Sequence, residues 1–310
     1  MHKLSRRKWL AGLFGAAVVS AGSRPEGTLV DAHVELTASD KARFPDHPDA
    51  PGPAQAADLR LYRAFIDRRT VDRAVLVQPE AYQDDHRYFE HCIKNEPSPG
   101  FFKGICLLDP IRPDAPERLE AMLARNPSRI VGLRIVATDP PGAPPSSSGA
   151  IRNRDFHHGG MKAVWHKIHE LRLMVQMDFH PHCAGRVYAL AVYFQAVPVV
   201  LNFFGRPGAW NVAETEALLK LAQLPGTYLQ ISGLEYLAGR QPPLDEVVSF
   251  LKRTHYAFGP DRILWGGLGC STPEFERAID LLEAFLKDLP ATSHAKIRGL
   301  TAMKLFGFSS

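Results

Sequence analysis

Eight times along the chain a short β-branched apolar run gives way to an amphipathic stretch of ten to seventeen residues, and this alternation limits the fold more than any other feature. The runs predict strands over 28–34, 73–78, 101–108, 130–135, 173–177, 199–202, 227–231 and 262–265. The stretches between them predict helices over 54–69, 84–95, 116–125, 161–171, 183–195, 212–221, 244–256 and 273–289. Apolar residues recur there at helical spacing, as in Leu59, Tyr62, Phe65 and Ile66, or Ile279, Leu282, Phe285 and Leu286. Strands separated by helices pair in parallel through right-handed crossovers. Eight such units in a chain of this length match a single-domain α/β fold, the (β/α)8 or TIM barrel. An open doubly wound sheet is the competing layout, but no Gly-x-Gly-x-x-Gly follows an early strand, so its usual nucleotide site is missing.

Charge tests whether the partner is a polyanion. The 310 residues carry 37 Lys and Arg against 33 Asp and Glu, a formal +4. Residues 1–21 hold a basic start (Lys3, Arg6, Arg7, Lys8), an apolar run from Trp9 to Val19 too short to span a bilayer, and small residues at Val19-Ser20-Ala21. Ser5-Arg6-Arg7-Lys8-Trp9-Leu10 resembles a twin-arginine export signal, so a periplasmic or otherwise exported protein is expected. An uncleaved basic terminus is the alternative. Cleavage after Ala21 removes four basic residues and no acidic one, leaving a formally neutral chain. Nucleic acid loses its compositional support, no membrane partner is expected after processing, and the oligomeric state is left open. Cys92, Cys106, Cys183 and Cys270 lie at least fourteen residues apart with no Cys-x-x-Cys, which suits buried free thiols better than a zinc ribbon.

Two long Pro-rich segments, 37–53 and 138–160, follow the first and fourth strands. In a barrel such loops lie on the catalytic face. The first strand ends Val30-Asp31-Ala32-His33-Val34-Glu35, and a period of two puts His33 and Glu35 on one face. The pair is a half-site for zinc or manganese. Its alternative is a hydrogen-bonded histidine at the barrel mouth.

Several motifs resemble the amidohydrolase-related TIM-barrel hydrolases, in the branch of 2-pyrone-4,6-dicarboxylate lactonase and sugar lactonases. They are Val30-Asp31-Ala32-His33-Val34-Glu35-Leu36 with Arg43-Phe44-Pro45, Ala74-Val75-Leu76-Val77-Gln78-Pro79 with Tyr82, Leu108-Asp109-Pro110, Gly132-Leu133-Arg134, Leu201-Asn202-Phe203-Phe204-Gly205-Arg206-Pro207, Gln230-Ile231-Ser232-Gly233 and Ile263-Leu264-Trp265-Gly266. The resemblance covers 28–307. It implies a barrel hydrolase with one divalent metal, zinc or manganese, but the chain departs from the pattern. Glu35 stands where the family has the second histidine of His-x-His, Asn202 replaces a histidine, and Leu268 replaces the aspartate that activates water. Of these four anchors His33 alone is unchanged, so the family mechanism does not carry over as written.

Substitutes lie at the end of the fifth strand, where Asp178 and His180 share parity with Gln176. With His33 and Glu35 they form either a His/carboxylate metal site (His33, Glu35, His180) or a metal-free general base. The alternative makes Asp178 a helix cap and the histidines solvent-facing. Arg134 matches the family position that contacts a substrate carboxylate, Arg206 is a second candidate, and Gln78, Tyr82 and Asn202 are expected as neutral hydrogen-bonding groups. The expected function is hydrolysis of a small anionic or sugar-derived lactone or ester, with a catalytically silent small-molecule-binding barrel as the alternative.

Overall fold

The computed structural model describes residues 27–51, 57–69, 71–205, 212–233, 244–267 and 272–309. Residues 1–21, expected to be an export segment, together with Arg206, Leu268 and Cys270, lie outside the described residues. The strands are β1 (Val30–Val34), β2 (Arg73–Val77), β3 (Phe102–Leu107), β4 (Ile130–Ala137), β5 (Met174–Phe179), β6 (Val199–Leu201), β7 (Thr227–Ser232) and β8 (Ile263–Gly266). They form one parallel eight-stranded sheet in sequential order, and β8 returns to lie beside β1. The helices are α1 (Leu59–Arg69), α2 (Arg87–Lys94), α3 (Ala115–Arg125), α4 (Gly159–Glu170), α5 (Ala184–Tyr193), α6 (Val212–Leu221), α7 (Leu244–Phe258) and α8 (Thr272–Leu286), one between or after each strand as expected for a (β/α)8 barrel. A terminal segment follows, comprising α9 (Ala291–Ala295), a π turn (Lys296–Leu300) and α10 (Thr301–Phe306).

Several boundaries move for identifiable reasons. Ala57 bridges Thr37, and α1 starts only at Leu59. Gln83 O and Asp85 O accept from the Gln78 side chain, which holds the second connection out of helical geometry until Arg87. Asn202 does not end β6 but opens a 3-10 turn, Asn202–Gly205. Cys92, Cys106 and Cys183 are buried free thiols.

Strand alternation builds two apolar clusters. Leu76, Cys106, Leu133, Met177, Leu201, Leu229 and Trp265 face the helices. Val30, Ala32, Val75, Val77, Ile105, Met174, Val200 and Leu264 fill the interior together with Ala302, Phe306 and Phe308 of the terminal segment. That segment closes the N-terminal end of the barrel, since a Cβ on Gly299 would lie 2.5 Å from Thr28 O, just ahead of β1. At the opposite end the inward positions turn polar, with His33, Arg134, Gln176 and Gln230 buried there.

Closure between β8 and β1 depends on a bulge. Asp31 pairs with Ala74 but Val34 with Leu76, so β1 has one residue more than β2 across that interval. Ala32 and His33 consequently both turn inward, while Asp31 turns outward to take Tyr62 Oη at 3.2 Å and Gly267 N at 2.8 Å. Gly266 passes so close that a Cβ there would stand 2.6 Å from His33 Cβ and 2.9 Å from His33 N. Backbone cannot yield as a flexible side-chain tip does. Gly266→Ala is expected to destabilise the protein by about 1–3 kcal/mol, the usual scale of overpacking, and denaturant unfolding at unchanged slope would measure it.

Candidate active site

The polar layer starts directly above the apolar plug. Gln230 Nε2 donates to Ala32 O at 2.7 Å, the carbonyl in the bulged stretch of β1. A carbonyl partner fixes which end of the Gln230 amide is nitrogen. Its Oε1 then accepts from Gln176 Nε2 at 2.9 Å, which orients the second amide as well. His33 Nδ1 lies 3.3 Å from each of these two amide atoms, and His33 Nε2 lies 3.0 Å from Glu35 Oε1. Because Glu35 is held ionised, Nε2 must carry the ring proton and donate it.

Above this layer Arg134, only 3% exposed, spreads its guanidinium between two carboxylates. Nη1 donates to Glu35 Oε1 at 2.7 Å and to the Gln78 backbone oxygen at 3.2 Å, and Nη2 donates to Asp178 Oδ2 at 3.0 Å. Burial alone pushes the Glu35 carboxyl up, but the Arg134 charge and the His33 hydrogen bond outweigh it and hold the group below its ordinary range. Burial works against the Arg134 charge too, and Glu35, Asp178 and Glu80 overcome it to hold the guanidinium firmly protonated. Glu80, just beyond β2, behaves oppositely to Glu35. Burial raises its carboxyl, Asp178 and Glu35 add to the rise, and Arg134 and Arg152 only partly offset it.

Arg152 reaches Glu80 from the long loop after β4, Nε to Oε1 at 3.3 Å. That loop is stapled down. Arg154 makes a buried two-point ion pair with Asp109, at 3.0 and 2.9 Å, and also donates to Ser146 Oγ and to the carbonyls of Ser148 and Gly149. Ile151 N donates to Gln83 Oε1 and Asn153 N to Val136 O.

His33, Glu35, Arg134 and Asp178 thus converge as their parity implies, with Gln176 and Gln230 beneath them. His180 opens the 3-10 turn Pro181–Cys183, with its ring centroid 6.1 Å from that of His182. The proposed metal set of His33, Glu35 and His180 is not assembled: among the described residues no three His, Cys, Asp or Glu side chains are placed to share an ion. The Gln78 side chain holds the loop after β2, and only its backbone oxygen faces Arg134. Tyr82, its hydroxyl pushed up to about 12 by burial, accepts from Ala38 N at 2.7 Å and ties the loop after β1 to that after β2. Asn202 is fully buried, with Oδ1 accepting from Phe203 N.

Sequence reasoning assigned no site role to Glu80 or Arg152, and gave Gln230 and Ser232 only as part of a resemblance motif. Their signals are faint: Glu80 directly follows the Gln78-Pro79 strand end, and Gln230 and Ser232 share inward parity on β7. Four buried polar atoms on inward positions of β4 to β7 or just beyond have no partner among the described residues: Arg134 Nε, Gln176 Oε1, Asn202 Nδ2 and Ser232 Oγ. Buried polar atoms are rarely left so, and their concentration at one mouth marks a place where water or ligand completes the network.

A closed parallel barrel whose polar side chains gather at the C-terminal strand ends belongs to the class of barrel enzymes that act on small molecules. Within that class the chain belongs to the amidohydrolase family, whose profile (Amidohydro_2, described as Amidohydrolase) matches residues 30–308. No curated protein sequence matches it. Solved structures share the fold. One is a Pseudomonas putida protein with the provisional description 2-pyrone-4,6-dicarboxylic acid hydrolase, 22% identical, covering 91% of this chain and 98% of its own at a TM-score of 0.69. An Acinetobacter baumannii protein with a similar provisional description, seen with citric acid bound, is 16% identical over 91% and 100% of the two chains, with a TM-score of 0.73. A Burkholderia multivorans amidohydrolase with bound zinc is also 16% identical over 91% and 100%, with a TM-score of 0.71.

The donor set here does not suit such a metal. Glu35 and Asp178 already accept from a buried guanidinium, and His33 Nε2 holds a proton rather than a free lone pair.

On the outer side of β1, Asp31 is a separate titrating group. Burial pushes its carboxyl up to about 7, against the pull of hydrogen bonds from Gly267, His33 and Tyr62. The folded protein therefore binds this proton more tightly than the unfolded chain, so its stabilising contribution is full below about pH 4 and is lost as pH rises through about 7. Thermal melts of Asp31→Asn and wild type from pH 4 to 8 should show wild type losing ground to the variant as pH rises. Parallel curves would refute the assignment.

Proposed function

We propose that the chain is a hydrolase for a small, hydroxyl-rich, sugar-derived lactone or ester. The observation that carries the reading is the pair of carboxyls shifted in opposite directions beside one buried guanidinium: Glu35 held below the ordinary carboxyl range, Glu80 raised above it by burial. Groups whose environments push their pKa values apart mark the base and the acid of a reaction.

Roles follow from exposure and partners. The Glu35 side chain is 26% exposed while that of Asp178 is 1%, so Glu35 meets an incoming water and accepts its proton, and Asp178 anchors Arg134. His33 holds Glu35 in place through Nε2–H. The unpartnered Arg134 Nε and Asn202 Nδ2 are donors for the carbonyl oxygen as negative charge develops on it. Glu80 supplies a proton to the departing alkoxide.

Charge favours the sugar-derived over the anionic substrate. Both terminal nitrogens of Arg134 are matched by carboxylates, so an anionic ligand would face Glu35 and Asp178 with no free bidentate cation among these residues. The remaining groups, Gln176 Oε1, Asn202 Nδ2 and Ser232 Oγ, are neutral and suited to hydroxyls. The reading keeps residues 1–21 as an export address that delivers the barrel to the periplasm. Among the described residues no helix is long and apolar enough to cross a membrane.

Hydrolysis of a panel of neutral and anionic lactones tests the reading. Turnover should favour the neutral members and fall about 10²–10⁴-fold in Glu35→Gln. The rate should drop on the acid side as Glu35 protonates and on the alkaline side as Glu80 ionises, with Glu80→Gln abolishing the alkaline limb. Ligand-induced stabilisation without turnover would establish the binding barrel instead.

A further inference from the structure

We infer that the Arg134 guanidinium is the resident cation of this barrel, occupying the place between the inward carboxylates where a divalent ion would otherwise sit, and that the mouth takes up no such ion.

Three observations support this. Glu35 from the end of β1 and Asp178 from β5 direct oxygens at the two terminal nitrogens of one side chain, at 2.7 and 3.0 Å, and the Gln78 carbonyl beyond β2 adds a third oxygen at 3.2 Å. Oxygens from three separate segments around one buried positive centre are the donor arrangement of a hard cation, here satisfied by N–H groups. Second, the histidine able to join such a site is committed. Gln230 is fixed by Ala32 O, Gln176 is fixed by Gln230, and His33 Nε2 carries its proton toward Glu35. Binding a metal through Nε2 would require that proton to leave and the hydrogen bond to break. Third, the guanidinium is 3% exposed and held protonated by its surroundings, so it cannot neutralise itself to relieve repulsion from an incoming divalent ion. Its Nη2 is held by Asp178, itself only 1% exposed, at 3.0 Å.

The inference concerns the same mouth as the proposed hydrolase but does not depend on turnover, so it is read by binding. Calorimetric titration of metal-stripped wild type with Zn²⁺ or Mn²⁺ should give no saturable site that depends on Glu35 or Asp178, and elemental analysis of the protein as purified should find no stoichiometric metal there. Arg134→Met leaves the two carboxylates without their cation. It should gain one saturable Mn²⁺ site, lost again in Arg134→Met/Asp178→Asn. A one-to-one wild-type site abolished by Glu35→Gln would overturn the inference, as would a folded Arg134→Met that takes no metal. If circular dichroism shows Arg134→Met unfolded, the wild-type titration decides, with Glu35→Gln as its control. Failure of every lactone to turn over would sink the hydrolase reading and leave this result untouched.

Discussion

The guanidinium of Arg134 is the interaction on which the upper half of the barrel depends. It links β4 to the ends of β1 and β5 through side chains and to the residue after β2 through a backbone oxygen. A buried ion cluster is not a stability device in itself, because desolvating three charges consumes much of their mutual attraction. Its consequence is specificity. Removing the arginine would leave Glu35 and the buried Asp178 as like charges without the cation between them, so the strand ends favour this one arrangement. That arrangement sets Glu35 ionised, and an ionised Glu35 in turn settles where the His33 proton resides.

Beneath the ion cluster the barrel changes character within one layer. Val30, Ala32, Met174, Val200 and Leu264 are buried and apolar, and the next inward positions, on β5, just beyond β6 and on β7, are Gln176, Asn202 and Gln230. The hinge between the two regimes is the bulge in β1. By placing Ala32 and His33 on the same side it supplies both an apolar side chain to the plug and an imidazole to the polar layer. It turns Asp31 out to Tyr62 and Gly267. The absence of a side chain at Gly266 permits that arrangement, since its backbone runs against His33.

Much of this was legible in the sequence because two periodicities are strong. The 2.0 and 3.6 repeats placed all eight strands and eight helices to within a few residues, and strand parity alone brought His33 next to Glu35 and turned Asp178 inward. The bulge escaped notice because one inserted residue leaves a run such as Val30-Asp31-Ala32-His33-Val34 looking like ordinary alternation. Arg134 was readable as an inward cation, but its partner Glu35 lies 99 residues away in sequence and no local pattern joins them. For the same reason Arg134 read as a free anchor for an anionic ligand, when its terminal nitrogens are matched internally. Glu80 was hidden by Pro79, which marks the strand as finished although the chain still passes the mouth.

The loop after β4 shows why composition misleads about order. Its prolines, serines and glycines suggest a solvated insertion, yet Arg154 donates to six oxygens within and beneath it, and the carboxylate that holds Arg154 sits just beyond β3. One buried arginine thereby does for an irregular segment what a ladder of backbone hydrogen bonds does for a strand. The fixed loop carries Arg152 to Glu80, so the acidity of a carboxyl beyond β2 is set partly by a residue beyond β4. The Arg134 and Arg152 charges both lower Glu80, and their incomplete compensation of its burial separates it from Glu35. A site that needs one carboxyl as base and another as acid can obtain the difference from burial and from how fully arginines and hydrogen bonds offset it, without changing either carboxyl's chemistry.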